Sequence, residues 1–512
     1  MGAAVVAGLA IGAPWLAWLS GGSTGFVAIA LVAAFHGWGR LVARLAHRNV
    51  DPVLAIWWGI AAMVALSGAA IALHVYSPNA LVVAGVVAHT IWLLLAVRPP
   101  AIANRYLIVP GAIIALLAVL HVLGAVGGVA GHAFDDDGNF AAQCRRLVDT
   151  GALGDAIGYA RSAQLGGHAA IAALATGFGG AELAHVVDAL AFPLVLALVV
   201  TRIAPRDAGS ALWTTLVVVL GSIIATAYPD LATEWLAIGL VLAFALTAYG
   251  DREDDAWPTD AQLAARAVLP CALCAGALIA LRAELVPIAM IGLWYAWWRR
   301  RRSLAFDVSR IAVLVLGAAL CVIGFALARH AAFANVRAAA SLLGAGRSGY
   351  VAHLVWPLAI AALLAIAIAL GRRRDLGTPT LVLSALGAML IFDAREAPGR
   401  TSWAWHYIEL ASDIGYGQHR APEGGDYERL LRRVPDGATV AVWVGRPELL
   451  DYRRHRIVDL RTPHTAALHG SLDKLITATG AGWLLVERDD TDVATDRTAI
   501  AIRDGVSLIE LR

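Results

Sequence analysis

The chain has 512 residues, of which 59% are hydrophobic and only 15% are charged, and its mean hydropathy is +0.69. A soluble domain carries about 25% charged residues, so this composition excludes an ordinary soluble protein. The net charge of +2 is close to neutral and gives no indication of nucleic-acid binding. We therefore expect membrane lipids around the chain and no nucleic acid among its partners.

Long apolar runs recur through most of the chain, and runs of about 18 to 22 such residues are typical of transmembrane helices. The predicted fold is therefore an α-helical polytopic membrane protein with about thirteen transmembrane helices. An additional apolar segment, 169–178, is short and is expected to be re-entrant or interfacial. The predicted spans lie near 3–19, 24–45, 53–73, 79–97, 106–130, 184–202, 209–227, 231–248, 263–281, 284–298, 309–328, 351–370 and 377–392.

Arginine residues mark every second predicted loop, and cytoplasmic loops of membrane proteins carry an excess of basic residues. One orientation satisfies all of these loops. It places the N-terminus in the cytoplasm, and it places the loop 131–168 and everything after residue 393 on the outer side of a bacterial cytoplasmic (inner) membrane. The arginines are Arg40, Arg44, Arg48, Arg98, Arg105, Arg202, Arg206, Arg299, Arg300, Arg301, Arg302, Arg372, Arg373 and Arg374.

Three successive aspartates, Asp135, Asp136 and Asp137, open the outer loop. Charged side chains near hydrocarbon are costly unless they face water or a partner, so the triplet indicates a water-facing site. The spacing of 139–148 predicts an amphipathic helix lying on the membrane, with Asn139 as its cap. A carboxylate at this junction can act as a general base toward a hydroxyl or help to bind a divalent cation. The alternative is that the aspartates only solvate the loop and cap the helix.

Six polar residues in predicted outer loops and hairpins are candidates for binding a substrate. Guanidinium groups suit phosphate because they bind it with two parallel hydrogen bonds. Solvation of the loops, or an ion pair within one hairpin, is the alternative interpretation. The six residues are Arg282, Glu284, Arg161, Arg337, Tyr228 and Asp230.

The composition changes near residue 426. Short apolar runs typical of strands, at 439–444, 456–460, 483–487 and 506–511, alternate with helical patterns at 427–433, 447–454 and 468–479. This alternation predicts a small α/β domain with a mainly parallel sheet. The orientation derived from the arginines places this domain outside the membrane, beside the aspartate loop.

The chain therefore divides into five segments. Residues 1–130 are predicted as N-terminal transmembrane helices, and 131–183 as an outer loop with the acidic motif and amphipathic or re-entrant helices. Residues 184–392 are the predicted transmembrane core, 393–425 an interfacial linker, and 426–512 an extracytoplasmic α/β domain.

Isolated cysteine and histidine residues in apolar segments give weaker signals. Cys271 and Cys274 form a C-x-x-C inside an apolar helix, where packing is favoured over a metal or redox site. His36, His89 and His121 are isolated within predicted spans, where a packed or helix-bridging role is favoured over metal binding or proton relay.

A membrane helix, an outer loop that runs from acidic residues into an amphipathic helix, many further spans and an outer α/β tail together resemble the GT-C superfamily. These are polytopic glycosyltransferases, including the protein mannosyltransferase-like and aminoarabinose transferase-like families. The resemblance covers roughly residues 110–512. It implies transfer of a sugar from a polyprenyl-phosphate-linked donor to a glycan, lipid or protein acceptor in the cell envelope. It also implies that the match to the family's catalytic base or metal-site aspartate is Asp135, Asp136 or Asp137.

Two other functions fit the same architecture. One is a non-catalytic scaffold with a GT-C-like fold, whose tail is an interaction module. The other is a transporter or flippase of lipid-linked glycans, although a visible inverted repeat and paired broken helices, which are typical of transporters, are missing from the sequence.

Overall fold

The structure is a computed structural model, and it describes thirteen continuous stretches of the chain together with a few isolated residues. The stretches are 24–48, 50–95, 105–126, 141–153, 165–180, 183–203, 234–249, 268–281, 304–332, 425–460, 472–487, 501–503 and 506–511. The isolated residues are 209, 212, 214, 215, 218, 266 and 289.

Ten described helices precede residue 333, and most of them lie within predicted spans. Four segments are long and apolar enough to cross a membrane: Thr24–Leu45, Pro52–Ala72, Pro78–Leu95 and Val308–Ala328. The helices are α1 (Thr24–Leu45), α2 (Pro52–Ala72), α3 (Pro78–Leu95), α4 (Ile108–Val126), α5 (Ala142–Thr150), α6 (Gly167–Thr176), α7 (Val186–Ile203), α8 (Glu234–Tyr249), α9 (Leu269–Leu281) and α10 (Leu304–Ala332).

Helices α1 to α4 and α7 to α10 each fall on a predicted span. The remaining predicted spans, apart from a few isolated positions, lie outside the described residues. The total of about thirteen spans therefore stays a prediction. These spans are 3–19, 209–227, 284–298, 351–370 and 377–392.

Helix α2 shows how the sequence specifies a buried helix. The Asp51 Oδ1 atom accepts hydrogen bonds from the N–H groups of Val53 at 2.7 Å and Leu54 at 3.2 Å, and Pro52 occupies the first turn. This cap and this proline are favourable at a helix start. The helix packs closely against α1, because a Cβ atom added at Gly59 would lie 1.6 Å from the Phe35 carbonyl oxygen. Small residues allow such close approach between membrane helices.

One end of the helix bundle is rich in arginine. Arg202 lies 3.7 Å from Asp51, and the Arg48 guanidinium donates to the Thr247 carbonyl at 3.2 Å. Arg266 lies 3.3 Å from the ring of His47. We call this set of residues the basic end. Its contacts join loops that the arginine pattern places on the same side of the membrane.

The opposite end of the bundle is organised by α6. Helix α2 has 21 residues and is therefore about 31 Å long, so Tyr76, which follows it, lies far from Asp51. The Tyr76 hydroxyl donates to the Ala170 carbonyl of α6 at 2.7 Å. All ten residues of α6 are buried among neighbouring helices. The alanine-rich helix α6 is narrow enough to fit among its neighbours, and the re-entrant or interfacial position expected for 169–178 stays a prediction.

The cysteines and two of the histidines in the described helices pack between helices. His36 and His89, expected to be isolated, instead meet through their Nδ1 atoms at 2.8 Å and bridge α1 to α3. Arg40 donates to His36 Nε2 at 3.2 Å. All four cysteines are free and buried. The helix-bridging interpretation of His36 and His89 is thus confirmed, whereas their isolation is not.

The C-terminal stretches form a five-stranded sheet in the order β2-β1-β3-β5-β4. Strands β2, β1 and β3 are parallel, while β5 is antiparallel to both β3 and β4. Two helices, α11 and α12, and a short 3-10 helix accompany the sheet. Their bounds are α11 (Gly425–Leu431), β1 (Thr439–Trp443), 3-10 helix (Pro447–Leu449), β2 (Arg456–Asp459), α12 (Leu472–Thr479), β3 (Trp483–Glu487), β4 (Ala501–Arg503) and β5 (Val506–Glu510).

The sheet corrects three sequence predictions. It is mixed rather than mainly parallel, since only two residues, Asp504 and Gly505, separate β4 from β5. A two-residue connection joins antiparallel strands, whereas parallel strands need a long crossover. Strand β4 was not predicted, and the helix predicted at 447–454 is limited to the 3-10 turn Pro447–Leu449. Each of the four predicted strand segments contains a strand.

The sheet carries an apolar core on each face. One face packs Val440, Val442 and Leu485 with Leu430 of α11. The other face packs Leu484 and its neighbours with Ile476 of α12. These two clusters contain no residue of the helix bundle. That the sheet folds as an independent domain on the outer side of the membrane stays a prediction.

Candidate functional site

The nine predicted site residues lie outside the described residues, so their roles stay predictions. The structure instead describes the segment that follows the acidic triplet in the chain. Helix α5 begins at Ala142, five residues after Asp137. The nine residues are Asp135, Asp136, Asp137, Arg282, Glu284, Arg161, Arg337, Tyr228 and Asp230.

Helix α5 differs from the predicted amphipathic helix in its burial. Its described start is Ala141, which has helical backbone angles and makes no side-chain cap bond, while Asn139 lies outside the described residues, so its role as the cap stays a prediction. The helix was expected to lie on the membrane surface, but Cys144, Arg146 and Leu147 are buried. It is covered on one side by α6 and on the other by the C-terminal sheet. Its polar residues find protein partners there, which is why the helix is not left on a surface.

Toward the bundle, α5 contacts α6 through Cys144. The Cys144 thiol donates to the Ala169 carbonyl at 3.4 Å. Burial raises the pKa of this thiol above its usual range, and the nearby negative charge of Asp188 raises it further. Cys144 is therefore an uncharged packing residue that lies close to the carboxylate of Asp188.

A buried histidine–aspartate pair joins α6 to α7 at the same place. His168 Nε2 lies 2.9 Å from Asp188 Oδ2, and the two side chains are 2% and 6% exposed. An ionisable pair buried within membrane helices is costly and indicates function by default. The sequence analysis assigned no role to either residue. The signal available in the sequence was Asp188, an acidic residue near the start of the predicted span 184–202.

Toward the sheet, Arg146 covers the open edge of strand β2. The N–H groups of Arg456 and Leu460 bond to β1, and alternation along a parallel strand turns the Ile457 carbonyl away from β1. Arg146 Nη2 donates to this carbonyl at 3.1 Å. The guanidinium also lies 4.8 Å from the centre of the Tyr452 ring. Arg146 thus satisfies an edge group that is otherwise open to pairing with another chain.

Asp149, one turn further along α5, is held by three groups. Its Oδ2 accepts from Arg145 Nε at 3.0 Å and from the Tyr452 N–H at 3.3 Å, and Arg453 Nε lies 3.0 Å from Oδ1. The Asp149 side chain is 0% exposed. Burial raises the pKa of this carboxyl, while Arg145 and Arg453 lower it in part. We call Arg146, Asp149, His168 and Asp188, with Tyr452 and Arg453, the polar junction.

The described residues offer no metal centre. Within the stretches that the structure describes, no three histidine, cysteine, aspartate or glutamate side chains converge closely enough to hold an ion. The predicted divalent cation concerns Asp135, Asp136 and Asp137, so it stays a prediction for that triplet.

Comparison with known proteins gives distant matches only among solved structures. No protein-family profile and no curated protein matches the chain. The crystal structure of ArnT from Cupriavidus metallidurans bound to undecaprenyl phosphate is 12% identical, with a TM-score of 0.39 over 80% of this chain and 98% of that one. The same protein in the apo state is 14% identical, with a TM-score of 0.35 over 83% of this chain and 98% of that one. At these TM-scores the likeness carries no argument about this chain.

Proposed function

We propose that this protein is a membrane glycosyltransferase of the GT-C type. It transfers a sugar from a polyprenyl-phosphate-linked donor to a glycan, lipid or protein acceptor at the outer face of the bacterial inner membrane. The observation that carries the proposal is the position of α5, which is packed between the helix bundle and the C-terminal sheet. This contact supports a topology in which the outer loop and the tail share one side of the membrane, as a site built from both requires.

The acidic triplet is tied to this position by chain length. Ala142 is the fifth residue after Asp137, and five residues of chain span at most about 18 Å. The proposal therefore requires the triplet to act within that distance of the start of α5. Buried ionisable groups concentrate at functional sites, and the side chains of Asp149, His168 and Asp188 are buried. This supports a reaction centre at this end of the bundle.

The chemistry uses the charges that the sequence supplies. One carboxylate of the triplet takes the proton from an acceptor hydroxyl while that oxygen attacks the anomeric carbon of the donor sugar. The bond between that carbon and the phosphate oxygen breaks, and polyprenyl phosphate leaves with the electron pair. Arginine side chains stabilise the phosphate as its charge grows, and Arg161, Arg282 and Arg337 are the candidates for this role.

Three single changes test the proposal: Asp135→Asn, Asp136→Asn and Asp137→Asn. Asparagine caps a helix about as well as aspartate, so a capping role survives. Loss of a general base lowers the rate by about 10²- to 10⁴-fold. The measurement is the lipid-linked glycan profile of cells that carry each variant, with Asp436→Asn in the tail as the control. If all three variants reach the membrane and leave the profile unchanged, the catalytic role fails and the scaffold function replaces it.

A further inference from the structure

We propose that the C-terminal sheet positions α5 through a clamp formed by Arg146, Asp149 and Arg453. This inference rests on the proposed function. It assigns the three side chains as positioning residues, which act on the reaction through the segment they hold rather than by touching the substrate. Four features of the interface support it.

The first feature is the division of α5 between two partners. Its apolar residues Cys144 and Leu147 belong to the core of the helix bundle. Its charged residues Arg146 and Asp149 instead contact the sheet and the loop that precedes β2. Helix α5 is therefore the element through which a movement of the sheet reaches the bundle and the preceding acidic segment.

The second feature is that the sheet forms its apolar core without α5. The apolar clusters on the two faces of the sheet contain no residue of α5. The contacts between α5 and the sheet side include two hydrogen bonds, an ion pair and a cation–π contact. Polar interfaces between units with separate cores are typical of domains that move relative to each other.

The third feature is that the contacts depend on each other. Asp149 is buried and is bound from the sheet side by both Arg453 and the Tyr452 N–H. The Tyr452 ring in turn lies against the Arg146 guanidinium. Arg145 lies on α5 itself, so removal of Arg453 takes away the ion pair that joins Asp149 to the sheet side and leaves Arg145 and the Tyr452 N–H in place. The clamp therefore depends on Arg453 and Arg146 for its charged contacts between α5 and the sheet.

The fourth feature is the specificity of the edge contact. Arg146 reaches a single outward carbonyl of β2, that of Ile457. A shift of α5 along the strand by one residue would present an inward carbonyl, which is already paired within the sheet. This geometry sets the register of α5 against the sheet, as a positioning role requires.

Adjacent arginines supply a matched test. Arg453 and Arg454 each form an ion pair with an aspartate through Nε, but Arg453 reaches Asp149 on α5 whereas Arg454 reaches Asp436 within the sheet region. We compare Arg453→Gln with Arg454→Gln in the full-length protein. Arg146→Leu and Arg146→Lys form a second pair, because lysine keeps the charge and a donor for the Ile457 carbonyl.

Two readouts are needed. Hydrogen–deuterium exchange in detergent reports whether residues 142–150 and the Tyr452 amide are held. The lipid-linked glycan profile reports the reaction. We expect Arg453→Gln and Arg146→Leu to speed exchange in both segments and to lower the product, since small misplacements of reacting groups cost up to about 10²-fold. Arg454→Gln should behave as the wild type, and Arg146→Lys should recover much of the loss.

The contrary results separate the clamp from the proposed function. If exchange in residues 142–150 stays slow in both Arg453→Gln and Arg146→Leu, the clamp does not exist. If exchange speeds up while the glycan profile stays at the wild-type level, the positioning role is overturned and the proposed function stands. If deletion of the gene leaves the profile unchanged, the proposed function fails whatever the exchange data show, and the positioning role fails with it.

Discussion

The two ends of the helix bundle use charged residues in opposite ways. At the basic end, Asp51 caps α2 and lies near Arg202, and these two side chains are 27% and 16% exposed. At the polar junction, Asp149 is 0% exposed, and His168 and Asp188 form a pair that is almost completely buried. The Asp51 carboxylate at the basic end therefore stays partly in water, whereas the Asp149 and Asp188 carboxylates at the polar junction are removed from it.

This difference indicates at which end of the bundle the chain gives up stability for function. Partly exposed ion pairs contribute about 0 to 1 kcal/mol to the free energy of unfolding. Arginines at a membrane surface orient the protein, and this role is enough to explain their presence at the basic end. Burial of a charge carries a desolvation penalty that an ion pair often fails to repay. Among the described residues, the polar junction buries the carboxylates of Asp149 and Asp188, and buried ionisable groups concentrate where chemistry or coupling needs them.

The largest expected effect concerns the orientation of the two ends. Reporter fusions after Arg302 and Arg374 should report the cytoplasm, and fusions after Asp155 and Arg512 should report the outer side, because basic loops stay inside. Each signal is all or none. Opposite signals from Asp155 and Arg512 contradict the contact between α5 and the sheet. A shared cytoplasmic signal from both keeps that contact and overturns the orientation derived from the arginines.

The sequence was sufficient for elements whose pattern is local. The bounds of α1 agree with the predicted span 24–45, and β3 agrees with the predicted strand 483–487. Apolar runs and alternation report these elements because each residue's environment there depends on its near neighbours. The antiparallel end of the sheet was also accessible, since Asp504 and Gly505 form a hairpin signal that the α/β interpretation overlooked.

The polar junction was not accessible in this way. Arg146 and Ile457 are 311 residues apart, and their contact depends on how two regions with separate apolar cores meet. His168 and Asp188 are 20 residues apart but lie on different helices. The sequence offered only Asp188 as an unusual acid near the start of a span. Its partner depends on the placement of α6 inside the bundle, which no periodicity specifies.

The next largest expected effect is a loss of stability, and it is compared for one aspartate from each end of the bundle. We expect Asp188→Ala to destabilise the protein by about 3 kcal/mol, because it leaves the buried His168 ring without its partner. Asp51→Ala removes a helix cap and should cost about 1 kcal/mol. A thiol-reactive dye can follow thermal unfolding in detergent, since all four cysteines are free and buried. Equal losses from the two changes would erase the proposed contrast between the ends.

The smallest effect concerns His455, which is buried beside the polar junction. Burial lowers the pKa of His455 and Arg454 lowers it further, whereas Asp436 and Asp451 act in the opposite direction. The unfolded chain takes up a proton on this residue near its ordinary pKa of about 6.5, but the folded sheet holds the ring neutral to lower pH. The contribution of the neutral His455 ring to the free energy of unfolding is therefore complete above about pH 6.5, and it is lost as the pH falls below that value.

Circular dichroism of the tail, expressed alone from Asp426, tests this pH dependence. The spectrum should show helix and strand, because each face of the sheet has its own apolar core. The melting temperature should fall between pH 7.5 and 5.5 in the wild type and fall less in His455→Leu, which removes the titrating ring but keeps an apolar side chain. One unit of pKa difference corresponds to about 1.4 kcal/mol, so the change is modest. Parallel pH profiles for the two versions would show that His455 is not the group responsible. A random-coil spectrum would show instead that the sheet needs the bundle, which would remove the argument that the two regions have separate cores.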